Sequence, residues 1–120
     1  MKHKQREIYI ISYKDNDVYN GLLQICQLAR ERHKDSKAPG LEDFMNFHYA
    51  LERTIKNNVK SGDTYRIALT GDQVGEIWDR LDIHDDELYE ETIKLIKEAL
   101  CEDICVKIDD TGTVKMIWRD

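Results

Sequence analysis

Glu7-Ile-Tyr-Ile-Ile-Ser-Tyr13 is the stretch on which the architecture turns. It is rich in β-branched and aromatic residues, and its apolar groups fall at both parities of an extended chain: Ile8 and Ile10 at one, Tyr9, Ile11 and Tyr13 at the other. A strand with one wet face alternates apolar and polar residues, so this one is predicted to lie in the interior of a sheet, covered on both faces.

The elements that follow are read from the same periodicities. Asp15 and Asp17 offer N-cap oxygens to a helix whose apolar positions Val18, Leu22, Ile25, Cys26 and Ala29 recur every 3.6 residues and which ends near His33. A loop over 34–40 contains Pro39, which disfavours helix at Ala38, and Gly40, which permits a turn. A second amphipathic helix is predicted from Leu41 to Val59, closed by 60–63. Thr64 to Leu69 alternates Tyr65, Ile67 and Leu69 against Thr64, Arg66 and Ala68, the pattern of a strand with one wet face. Thr70-Gly-Asp-Gln73 has the spacing of a capping box and opens a short helix carrying Val74, Ile77, Trp78 and Leu81. Asp85 or Asp86 can cap a fourth helix with Leu88, Thr92, Leu95, Ile96 and Ala99 on its buried stripe. Ile104 to Ile108 and Thr113 to Trp118 read as a hairpin around Asp109-Asp-Thr-Gly112.

The expectation is an α+β fold filling residues 1–120 as a single domain, with a mixed four-stranded sheet and about four helices in the order β-α-α-β-α-α-β-β. Its predicted core is Ile8, Ile10, Leu22, Ile25, Phe44, Leu51, Ile67, Leu69, Ile77, Trp78, Leu95, Val114 and Met116. With 41% hydrophobic and 35% charged residues the chain has the aliphatic content that disordered chains lack. The apolar run Ile8 to Ile11 is shorter than a signal-peptide core, and no run approaches a membrane span, so a cytoplasmic protein without membrane contact is expected. Three cysteines, Cys26, Cys101 and Cys105, fit reduced thiols better than a disulfide framework.

Charge is unevenly spread. Residues 1–60 carry 11 basic against 8 acidic groups, and residues 82–110 carry 3 against 11. Such an acidic block repels nucleic acid and attracts basic partners over a Debye length of about 8–10 Å.

No motif for catalysis competes with that signal. Asp110-Thr-Gly112 matches the tripeptide of the aspartic proteases, but Asp109 stands where those enzymes carry apolar residues, and a hairpin turn needs just such Asp and Gly residues. Cys101 and Cys105 lack the second pair that zinc requires, and His84-Asp-Asp86 sits where helix caps are expected. Aligned as a calcium loop, the segment starting at Asp15 places Cys26 where a bidentate glutamate belongs. No serine lies in a nucleophile elbow, and 71–75 lacks the lysine of a phosphate loop. No cofactor and no metal is expected.

These observations favour a non-enzymatic, acidic protein-binding module of the inhibitor, immunity or adaptor type. Phage and mobile-element accessory proteins share this composition. Asp82, Asp85, Asp86, Glu87, Glu90, Glu91, Glu98, Glu102 and Asp103 are the expected contacts with a basic surface of a larger protein. If that protein is a nucleic-acid-binding enzyme, the carboxylates would occupy its phosphate groove. Two alternatives are a small enzyme or ligand-binding site near His48, Asp72 and His84, and a nucleic-acid-binding regulator using Arg30, Arg32, Lys34 and Lys37, although the acidic block disfavours direct contact with phosphates. A homodimer through Trp118 or the last strand is compatible with the sequence.

Overall fold

The computed structural model describes residues 6–101, 104–108 and 114–118, with side chains over 7–101. Four helices and five strands follow in the order β1 (Arg6–Tyr13), α1 (Asn16–His33), α2 (Leu41–Lys56), β2 (Val59–Ser61), β3 (Thr64–Thr70), α3 (Gly71–Ile83), α4 (Glu90–Cys101), β4 (Ile104–Ile108) and β5 (Val114–Trp118). The α+β class is as expected. The sheet is not mixed and four-stranded: its order is β2-β3-β1-β4-β5, and every neighbouring pair is antiparallel.

The additional strand is β2. The predicted second helix ran to Val59 because Val59 continues the apolar stripe, but α2 ends at Lys56, where the Asn57 N–H reaches back to the Arg53 and Thr54 carbonyls. Val59 then pairs with Arg66 in a tight hairpin, turned by Gly62 at φ +63°. All three residues of β2 are exposed, so no buried period advertises it.

β1 is the central strand, flanked by β3 and β4. Its odd positions Tyr9, Ile11 and Tyr13 are buried, together with Ile67 and Leu69 of β3, against Leu22 and Ile25 of α1, Leu51 and Ile55 of α2, Ile77 and Leu81 of α3 and Ile96 of α4. Each such side chain contributes about 1.5–3 kcal/mol of burial. α1 touches the other three helices. Gly21 makes the close approach to α4 possible: a Cβ there would stand 2.5 Å from Thr92 Cγ2 and 2.9 Å from Ile96 Cδ1.

Of the predicted core, Leu22, Ile25, Leu51, Ile67, Leu69 and Ile77 are buried, whereas Phe44, Trp78 and Leu95 are only half-buried at its edge. Ile8 and Ile10 are not core residues. They are half-buried on the opposite face of β1, where neighbouring Arg66, Ala68 and Thr70 of β3 are exposed. Among the described residues, helices therefore cover one face of β1, not two. Val114 and Met116 lie outside the described side chains, and the 109–113 turn, with Asp110-Thr-Gly112, lies outside the described residues.

Candidate functional site

The acidic block begins with the way α3 starts and stops. Thr70 Oγ1 accepts from the Gln73 N–H at 3.2 Å and Gln73 Oε1 accepts from the Thr70 N–H at 3.0 Å, so both halves of the capping box form. At the other end the Arg80 carbonyl accepts from the His84 N–H at 2.9 Å, and the His84 carbonyl accepts from both Glu87 at 3.0 Å and Leu88 at 3.2 Å. This turn delays α4 to Glu90, later than the predicted caps Asp85 and Asp86, because the backbone donors that a cap would satisfy are already bonded to His84. Leu88 is buried under it and draws the turn onto the core.

The consequence is a run of solvent-exposed acids through the turn and into α4. Asp82, Asp85, Asp86, Glu87, Glu90 and Glu91 are all exposed, and Glu98 follows Glu91 at seven residues, on the same side of α4. Glu102 and Asp103 lie outside the described residues. Among the described residues the one cation within ion-pair distance of these carboxylates is Arg32, 3.8 Å from Glu87. Lys94 and Lys97 share a shallow groove along α4 with Glu90, Glu91 and Glu98. Two apolar residues that the sequence reading missed lie exposed within the same stretch of chain: Tyr89 is 83% exposed and Ile83 43%. No local signal marks them: the closing of the turn at 84–88 buries Leu88 and leaves adjacent Tyr89 in solvent.

Glu87 has a second task. His84 is fully buried, and its Nδ1 donates to Glu87 Oε1 at 2.8 Å, which ties this carboxylate to the turn. The other buried histidine, His48, donates from Nδ1 to the Phe44 carbonyl at 2.8 Å, while its Nε2 stands 3.2 Å from Glu76 Oε2 without the alignment of a hydrogen bond. Glu76 also accepts from Arg80 Nε at 3.0 Å, and the buried Arg80 guanidinium lies 5.2 Å from the Phe44 ring centre. Partial burial, with the charges of Arg80 and Arg32, holds His33 below the usual histidine range. His48 and Asp72 line one depression of about 360 Å³ between α2 and α3, together with Phe47, Glu76 and Asp79. His84 is not part of it, so the three residues expected to form one site are divided between two. The exposed acids Asp72 and Asp79, spaced with Glu76 at four and three residues, extend the negative surface along α3 beyond the 82–110 window.

The basic residues considered for nucleic acid are largely engaged. Arg30 Nη1 is 2.7 Å from Glu52 Oε2, with its guanidinium 4.5 Å from the Tyr49 ring centre, and Lys34 meets Glu31 at 3.1 Å. Arg32 faces Glu87, and no partner is seen for exposed Lys37 among the described residues. Cys26 is buried, Cys101 is exposed, and no group of three or more metal-ligating side chains occurs among the described residues. Asp15 caps α1 by accepting from the Asp17 N–H at 2.8 Å. No helix among the described residues is long and apolar enough to cross a membrane.

Comparison with protein-family models, with curated proteins and with solved structures gives no match.

Proposed function

We propose that this protein is a non-enzymatic binding module whose acidic ridge, from Asp82 to Glu91 and on to Glu98, docks on a basic surface of a larger protein. One observation carries the reading: six exposed carboxylates within ten residues flank, along the chain, an aromatic residue, Tyr89, that is 83% exposed. Exposed charge alone is ordinary solubility surface. A large aromatic residue left in solvent among such charges is not, since interface energy concentrates in aromatic anchors while complementary charge accelerates encounter and selects the partner. Tyr89 and Ile83 supply the anchor and the carboxylates supply the field. If the target binds nucleic acid, the ridge occupies the groove meant for phosphates.

The test uses charge reversal at positions free of structural duty. Asp86→Lys, Glu90→Lys and Glu91→Lys are combined, and Glu87 is left intact because it holds His84. Capture from host lysate is compared between wild type and this variant at low and high salt. The reading expects a protein partner that is released as salt rises and lost in the variant, and loss of most binding in Tyr89→Ala. A partner retained equally by all three proteins would refute it.

A further inference from the structure

We propose that the depression of about 360 Å³ between α2 and α3 is a pocket for an arginine side chain of a partner protein. None of the acids at 82–98 lines it, so the pocket stands or falls apart from the recruiting role given to them above.

His48, on its α2 wall, supplies the first reason. The ring is fully buried, and because a backbone carbonyl can only accept, the Nδ1 proton is committed to the Phe44 carbonyl at 2.8 Å. That leaves Nε2 buried without a hydrogen-bond partner, 3.2 Å from Oε2 of Glu76, which lines the depression from α3. Glu76 is held in place through its other oxygen, which accepts from Arg80 Nε at 3.0 Å, and one-fifth of its side chain remains exposed. An incoming ligand therefore meets the Glu76 carboxylate with the His48 nitrogen beside it. Buried polar atoms in folded proteins are nearly always paired, so an orphaned nitrogen next to a carboxylate in a depression points to a cationic donor brought from outside.

Charge and shape select that donor. Asp72 and Asp79 line the same depression from one turn on either side of Glu76; both are exposed, and neither has an ion-pair partner among the described residues. Of the three carboxylates only Glu76 has its charge offset, by Arg80, which leaves the site negative. Phe44 and Phe47, both half-buried, supply aromatic walls. A planar guanidinium bonds carboxylates through several N–H donors and stacks on aromatic rings, whereas an ammonium is compact and strongly hydrated. Arg80 already makes this contact within the chain, 5.2 Å from the Phe44 ring centre. Gly75 supplies the room. Glycine is a poor helix former, its φ here is not positive, and a Cβ would meet nothing within 4 Å, so neither backbone nor packing calls for it. Its bare backbone widens the depression beside Glu76.

Titrating the isotope-labelled whole chain with N-acetyl-L-arginine amide, read by backbone amide NMR shifts, tests this. The Gly71, Gly75 and Glu76 amides should move with a dissociation constant of about 1 mM, the affinity of a fragment of this size. N-acetyl-L-citrulline amide, equal in length but uncharged, should bind at least tenfold more weakly, and N-acetyl-L-lysine amide several-fold more weakly. Free L-arginine should also be weaker than its blocked form, because its carboxylate is repelled by Asp72 and Asp79. Gly75→Leu puts a better helix former into open space, so it should keep the urea midpoint of wild type or exceed it while binding at least tenfold more weakly. Asp72→Asn combined with Asp79→Asn should lose about fivefold or more and serves if Gly75→Leu does not fold. Glu90→Lys, outside the depression, should bind as wild type does. Wild-type amides that stay still overturn the proposal, as do citrulline or lysine amides that bind equally, or pocket variants that bind like wild type. Tighter binding of free arginine than of the amide overturns it in favour of a small metabolite.

Discussion

Cys26 illustrates what burial does to a single group. It has no exposed surface on α1, and desolvation pushes its thiol up to about 12, against the opposing pull of Arg30. At pH 8 a maleimide should therefore modify exposed Cys101 and leave Cys26 intact in the folded protein, as peptide mapping would read; equal labelling would contradict the burial. The linkage has a definite sign. Unfolded, the thiol loses its proton near pH 9; folded, it keeps it to about 12, so the native state holds more protons across that window. Its contribution is complete below pH 9 and is lost as pH rises towards 12, and Tyr13, also raised by burial, adds in the same direction. The urea midpoint should fall from pH 9 upward; a flat profile would contradict it. Residue-scale features were unevenly legible in the sequence. His48 lies within the span read as the second helix and is buried there with a hydrogen bond to the Phe44 carbonyl, whereas the exposure of Tyr89 depends on how the turn at 84–88 closes, which no spacing encodes.

At the scale of elements, ends and close approaches carry the energy that point substitutions can read. Thr70→Ala removes half of the capping box on α3 and should cost about 0.5–2 kcal/mol in chemical denaturation. Gly21→Ala adds one methyl where Thr92 and Ile96 of α4 already stand, and should destabilise by about 1–3 kcal/mol, although alanine is the better helix former. No change, or a gain, would mean that α1 and α4 are further apart than described. The capping box and the apolar stripes of α1 and α3 could be read in advance because each is a local rule about spacing. Two boundaries could not. β2 has three exposed residues and no period of its own, and α4 begins at Glu90 because the His84 carbonyl takes two backbone donors, a contact outside the reach of any cap rule.

For the whole molecule, the two parities of β1 and the charge gradient are the decisive features, and each was read only in part. Apolar residues at both parities do identify the central strand, but the expectation of cover on both faces is met among the described residues on one face alone. Pairing direction was not legible, since it follows from where the helical layer returns the chain, not from strand composition. The gradient places acids on α3, the turn and α4, and folding leaves Asp82, Asp85, Asp86, Glu87, Glu90, Glu91 and Glu98 exposed, with Arg32 within ion-pair distance of Glu87 and Lys94 and Lys97 sharing the α4 groove. The exposed acids of this stretch thus belong to the helical layer of the molecule, on α3, the 84–88 turn and α4. The account rests on recruitment by that layer, and the salt dependence of affinity for a captured partner tests it most directly. Wild-type affinity should fall steeply as ionic strength rises through the physiological range, while the Asp86→Lys, Glu90→Lys, Glu91→Lys variant binds weakly and with little salt dependence. A wild-type affinity that is flat with salt, or a variant that follows the same curve, would contradict the account.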